Sequence, residues 1–230
     1  MKTIGLIGGI SWESSAKYYR IINQEARKRL GGLHSADCLM YSFDFDDIKQ
    51  RQMTDQWDEL TNMMIAAAQR LEKGGADCIL ICANTMHKMV NDVQNAVDLP
   101  LIHIADPTAE AIKAQGIDSI GLLGTKFTML EDFYKGRLSD KHNLQVLIPD
   151  TEGATYVNQV IYDELVMGEL KDDSRKGYID VINTLADEGA KGVILGCTEI
   201  GLLIKQEDSP LPVFDTTELH ALAAVDFALS

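Results

Sequence analysis

Short apolar runs and longer amphipathic stretches alternate along the chain. The runs at residues 3–8, 38–43, 78–83, 101–104, 119–124, 144–148, 192–196 and 213–215 are bounded by Gly, Asp or Pro. Most are continuously apolar, the mark of parallel strands covered on both faces. The stretches between them predict helices over 14–30, 55–73, 128–138, 155–167, 174–188 and 218–229. Ser11, Ser14 and Ser15 offer caps to the first, and Gly74-Gly75 and Gly189 stop two others. Repeated βα units predict an α/β fold with mainly parallel sheets and right-handed crossovers.

The chain also repeats itself. Ile4-Gly5-Leu6-Ile7-Gly8 recurs as Ile120-Gly121-Leu122-Leu123-Gly124, Gly75-Ala76-Asp77 as Gly189-Ala190-Lys191, and Pro100-Leu101 as Pro212-Val213, at offsets of 116, 114 and 112. Three matches in order with a slowly drifting offset predict two pseudo-symmetric α/β half-domains with a ligand cleft between them. The halves are residues 1–115 and 116–215, with a final helix over 216–230 packing back on the first.

Composition narrows the function. The 230 residues carry 21 Lys+Arg against 35 Asp+Glu, a net charge of −14, which disfavours nucleic-acid and anionic-membrane partners. No window approaches the ~18 apolar residues of a membrane span, and the start MKTIGLIGG has no leader pattern. Cys38, Cys78, Cys82 and Cys197 are too few and too scattered for a disulfide framework or a zinc site. These features predict a cytoplasmic chain with free thiols and no metal.

In α/β sheets ligands bind at the carboxyl ends of strands. Four such ends carry small or hydroxylated residues where a helix begins: Gly8-Gly9-Ile10-Ser11, Cys82-Ala83-Asn84-Thr85, Gly124-Thr125-Lys126-Phe127-Thr128 and Gly196-Cys197-Thr198-Glu199. Backbone N–H groups and hydroxyls there suit carboxylates. The order Gly5-x-x-Gly8-Gly9 is not a dinucleotide fingerprint. Cys197 sits between a strand and a helix start, where the dipole favours a thiolate. A buried cysteine acting as a small hydrophobe is the competing reading. Cap and turn chemistry competes for Asn84 and Thr85, and a neutral hydrogen-bonding role is expected of His87. The run Asp44, Asp46, Asp47 reads as a solvated loop.

These strand ends, with Asn84-Thr85-Met86-His87 and Gly196-Cys197-Thr198-Glu199 as the most specific pair, resemble the aspartate/glutamate racemase superfamily over essentially the whole chain. The opening Gly8-Gly9-Ile10-Ser11-Trp12-Glu13-Ser14-Ser15 is most similar to the branch acting on aspartate and glutamate. The resemblance implies a racemase that needs no pyridoxal phosphate or other cofactor, with an acid/base from each half flanking the substrate α-carbon. It implies an acidic amino acid as the small-molecule partner and a homodimer as the assembly. By motif it assigns Cys197 as one acid/base. It assigns Ile10, Ser11, Asn84, Thr85, Thr125, Thr128, Thr198 and Glu199 to substrate, with Gln52, or Arg51 beside it, toward the distal carboxylate.

The chain departs from the pattern at one position. The first-half acid/base precedes Asn84, and that residue is Ala83, whose methyl group has no proton to exchange. Cys82 is one residue earlier, and neighbours on an extended chain face opposite ways. Alanine here marks a natural one-cysteine member, an engineered active-site variant, or a chain in which Cys82 serves after a local backbone shift. The alternatives are a single-cysteine decarboxylase or isomerase of the same superfamily, which the Trp12 opening and Asn84-Thr85 oppose, and a non-catalytic binder of acidic amino acids.

Overall fold

The computed structural model describes residues 1–230. The chain divides into two compact units, Met1–Ile104 with His220–Ser230, and Ala105–Leu219. The first carries β1 (Ile4–Gly8), α1 (Trp12–Leu30), β2 (Cys38–Ser42), α2 (Phe45–Met53), α3 (Trp57–Lys73), β3 (Cys78–Ile81) and α4 (Val90–Asn95). The second carries α5 (Ala105–Ala114), β4 (Ser119–Gly124), α6 (Lys126–Leu130), α7 (Asp132–Gly136), β5 (Gln145–Leu147), α8 (Thr151–Asp163), α9 (Asp172–Asp187), β6 (Val193–Gly196), α10 (Ile200–Leu203) and β7 (Val213–Asp215). The last helix, α11 (Thr216–Leu229), contains the second division point. No helix is long and apolar enough to cross a membrane.

Both sheets are wholly parallel, in the orders β2-β1-β3 and β5-β4-β6-β7. The repeat extends to single hydrogen bonds. Ile79 pairs with Leu101 as Val193 pairs with Val213. The Ile79 amide donates to Pro100 O (3.0 Å) as that of Val193 donates to Pro212 O (2.9 Å). The Asp77 amide donates to Thr3 O (2.8 Å) as that of Lys191 donates to Ser119 O (2.9 Å).

Each strand sorts its side chains with period two. Ile4, Leu6, Cys78, Leu80 and Cys82 pack with Tyr18 and Ile22 of α1 and with Ala221, Ala224 and Val225 of α11. Ile7, Ile79, Ile81 and Ala83 pack on the other face with Leu60, Met64 and Ala67 of α3. In the second unit Leu123, Val193, Leu195 and Cys197 share a core with Val157 and Ile161 of α8 and Tyr178 and Ile182 of α9. Cys38 and Cys78 flank Ile4 on opposite neighbouring strands, two strand spacings apart, beyond the reach of a disulfide.

Several elements differ from those read off the sequence. The strand expected at 101–104 is a single bridge at Leu101, because its backbone groups go elsewhere: the Leu101 amide to Gln94 Oε1 (2.8 Å), the Ile102 carbonyl to His220 and the Ile104 amide to His87. The Asp44 run is not a loop. Asp44 caps α2, accepting from the Asp46 amide (3.1 Å), and Asp46 and Asp47 fill the first turn, where the dipole favours negative charge. The helix expected over 128–138 starts earlier, breaks at extended Glu131 and passes into a π turn at Arg137–Lys141. The segment 105–114, placed in the first half by the repeat, is helix α5 of the second unit.

The π turn brings three basic side chains onto Asp106 of α5. The Asp106 carboxylate accepts from Arg137 Nε and Nη2 (2.8 Å each), Lys141 Nζ (2.8 Å) and His142 Nε2 (2.9 Å). Burial alone would raise its pKa, but these hydrogen bonds prevail and hold the carboxyl far below the usual carboxylate range. A depressed carboxyl contributes stability above its unfolded pKa of about 4, and that contribution is lost as acid approaches the folded value. We expect Asp106→Asn to cost about 1–3 kcal/mol near neutral pH. Denaturant titrations should show the gap to wild type narrowing as pH falls from about 5 toward 2. A gap independent of pH would assign the cluster to packing alone.

Candidate active site

Each unit presents a set of candidate residues at the carboxyl ends of its strands. In the first, β1 ends at Gly8 and the chain turns through Gly9 at φ +80°. A Cβ there would lie 2.2 Å from Phe43 O, so only glycine passes. The turn delivers Ser11 as the cap of α1. Ser15 Oγ accepts from the Gly9 amide (2.8 Å) and donates to Ser11 O (3.0 Å), while Ser14 Oγ donates to Cys82 O (3.2 Å). These serines lace the β1 end, with Ile10 and Ser11, to the β3 end, with Ala83, Asn84 and Thr85. All five of those residues are buried.

Ala83 lies in the same strand phase as Ile79 and Ile81, just as Cys197 lies in phase with Val193 and Leu195. Ala83 is therefore the counterpart of Cys197 within the repeat. Cys82 faces the opposite layer, fully buried against α1 and α11, and burial pushes its thiol far up. Burial likewise raises the Cys38 thiol to about 11 and that of Cys78 to about 12.

Gln52 and Arg51 separate clearly. Gln52 is buried, and its Nε2 donates to Met86 Sδ (3.3 Å), a weak acceptor, which sets the amide against the turn that follows Asn84. Arg51 is bound by the exposed carboxylates of Asp47 and Glu59.

In the second unit Gly124 and Gly196 stand side by side in register. A Cβ on Gly124 would lie 2.9 Å from Gly196 O, and one on Gly196 would lie 2.7 Å from Leu123 O. With both positions bare, the Thr128 methyl settles over the pair, 3.1 and 3.3 Å from where those Cβ atoms would be. Thr125 Oγ1 accepts from the Thr128 amide (3.3 Å) and lies 3.2 Å from Thr128 Oγ1. Thr125 and Thr128 are thereby held beside the strand end that carries Cys197.

Cys197 is 9% exposed, and its Sγ donates to Glu199 Oε2 (3.0 Å). Thr198 Oγ1 donates to the same oxygen (2.8 Å). Burial pushes the thiol well above its ordinary value, and the Glu199 charge and the S–H···O bond add to the rise. Backbone amides of Thr198 and Glu199 act the other way and are outweighed. This reverses the thiolate expected from a helix start. α10 is a single turn with little dipole, and a carboxylate stands at its N-cap. Glu199, assigned by motif to substrate, is the hydrogen-bond partner of the thiol. The half-buried Tyr162 of α8 lies close enough that Cys197 and Glu199 add to the rise that burial causes in its phenol. Asn158, one turn earlier, accepts from the Lys126 amide (2.8 Å). Their i, i+4 spacing sets both on one face of α8, a pattern visible in the sequence.

The Asp/Glu/Hydantoin racemase family model matches residues 7–224. The chain belongs to that family. A candidate Asp/Glu racemase from Yersinia pestis is 50% identical, with a TM-score of 0.93 and complete coverage of both chains. An aspartate racemase homologue from Pyrococcus horikoshii is 36% identical, with a TM-score of 0.87 and the same coverage. The broad specificity amino-acid racemase RacX of Bacillus subtilis is 25% identical over 99% of this chain and 98% of its own. The parallel α/β architecture is that of the racemase fold.

Replacing the Glu199 carboxylate by an amide removes the charge that favours the protonated thiol and leaves only a neutral carbonyl acceptor for the S–H. We expect Glu199→Gln to lower the pH midpoint of Cys197 alkylation by about one unit or more, read site by site by mass spectrometry. An unmoved midpoint would show that the carboxylate does not govern the thiol.

Proposed function

We propose that this chain is a cofactor-independent amino-acid racemase scaffold for acidic amino acids, aspartate and glutamate, that works the substrate α-proton from one face through Cys197. The observation that carries this reading is the buried Cys197–Glu199 pair, hydrogen-bonded at 3.0 Å, at the end of β6. The resting thiol is protonated, so it needs a nearby acceptor before it can act as a base. Glu199 Oε2 takes the thiol proton, and the freed Sγ electron pair takes the α-proton. The C–H electrons pass into the substrate carboxylate as an enediolate. Hydroxyls of Ser11, Thr85, Thr125 and Thr128, the Asn84 amide and the backbone at Ile10 are the fixed donors that stabilise this charge, while the Thr198 hydroxyl holds Glu199 in place. The Gln52 amide is the donor for the distal carboxylate. Protonation by Cys197 on the same face returns the original enantiomer.

Racemisation needs a proton on the other face as well. Ala83, the counterpart of Cys197 in the repeat, carries none. The reading therefore assigns the present chain exchange with retention, and inversion to a chain with an acid/base at 83. With it goes the proposal of a cytoplasmic chain that pairs as a homodimer and takes no nucleic-acid or membrane partner.

The test is proton NMR of each enantiomer of aspartate and glutamate in D2O. We expect α-hydrogen exchange of one enantiomer without inversion. Cys197→Ser should reduce it by about 100-fold or more, and undiminished exchange in that variant would remove Cys197 from the chemistry. Ala83→Thr or Ala83→Cys should bring inversion, and no gain from either would count against a two-base scaffold. Binding without exchange in wild type would favour a non-catalytic binder.

A further inference from the structure

We propose that His87 is a positioning residue that sets the orientation of the Ala83–Asn84 peptide. The inference rests on the reading of the β3 end as part of a substrate site. His87 has no exposed surface and lies in the short turn Thr85–Met89. The Ile104 amide meets its Nε2 at 3.2 Å. An amide N–H only donates, so Nε2 carries a lone pair. The ring proton is then on Nδ1, where it donates to the Ala83 carbonyl at 2.8 Å. His87 is a neutral ring with a defined tautomer, and both its nitrogens serve the backbone.

The consequence lies at the far end of the Nδ1 bond. In a trans peptide the C=O and the following N–H point in opposite directions. The Ala83–Asn84 bond is trans. With the Ala83 carbonyl turned onto the imidazole, the Asn84 N–H is directed away from it. The His87 amide in turn donates to Asn84 O (3.0 Å), so Asn84 is gripped on both sides.

The ring has a rigid bed. His103 packs against it at 4.7 Å between centroids and His220 at 5.8 Å. His220 is itself fixed. Its Nε2–H donates to Ile102 O (2.7 Å), and its Nδ1 accepts from Tyr18 OH (2.8 Å). Such tethering of a buried polar network fixes one arrangement of the groups it holds.

The two arms of His87 separate by substitution. In His87→Asn the shorter amide keeps a donor for the carbonyl four residues back and loses Ile104. In His87→Gln the longer side chain keeps an acceptor for the Ile104 amide and loses the Ala83 donor. We expect both to lose similar stability in denaturant. Titration with aspartate or glutamate, followed on amide resonances, should show His87→Asn within about threefold of wild-type affinity and His87→Gln weaker by about tenfold. Nitrogen-15 NMR of the imidazole should report the Nδ1–H tautomer near neutral pH. Equal weakening by both substitutions, no weakening by either, or an Nε2–H tautomer would overturn the proposal. Failure of wild type to bind either amino acid would instead overturn the substrate site, and the positioning role with it.

Discussion

A parallel sheet covered by helices leaves its strands no freedom, because both faces are core and every backbone group within the ladder is paired. Only the first residues past each strand escape these demands. In both units those residues hold the candidate chemistry: Gly8 to Ser11 and Ala83 to Thr85, and Gly124 to Thr128 and Cys197 to Glu199. The phase of the strand then decides which way each side chain points. Ala83 and Cys197 continue the faces set by Ile79 with Ile81 and by Val193 with Leu195, while Cys82 is turned into the opposite layer. A thiol one residue out of phase is a core atom.

Close approach at these ends depends on missing side chains. Gly124 and Gly196 let two strands and Thr128 meet where a single Cβ would collide with a carbonyl. Gly9 does the same for the turn against Phe43. Hydroxyls then take up backbone groups past the strands: Ser14 and Ser15 bind Cys82 O, the Gly9 amide and Ser11 O in one unit, and Thr125 accepts from the Thr128 amide in the other.

Electrostatics at the thiol arises from burial and a neighbour two residues away. Taken out of water beside Glu199, Cys197 holds its proton, and that proton already has an acceptor at 3.0 Å. A buried donor without such a partner would be costly. The Glu199 carboxylate thus satisfies the buried thiol and holds its pKa up at the same time.

Much of this was legible along the chain. Continuous apolar runs, the near-constant repeat offset and the four Gly- and Thr-rich strand ends reflect local periodicity and spacing, which are properties of sequence. They sufficed for the parallel α/β fold, the pairing of Cys197 with Ala83 and the separation of Ala83 from Cys82. Other features depend on residues remote in the chain. The 101–104 run could have made a strand, but Gln94, His87 and His220 hold its backbone groups. Asp106 acquires its three basic partners through a π turn some thirty residues on. Gln52 and Arg51 are adjacent in sequence and opposite in fate, one buried at Met86 and the other held by surface carboxylates. The protonation of Cys197 belongs to the same class. Pattern and phase follow from the order of residues, whereas a pKa or a hydrogen-bond partner follows from which distant atoms exclude water, and only the folded chain decides that.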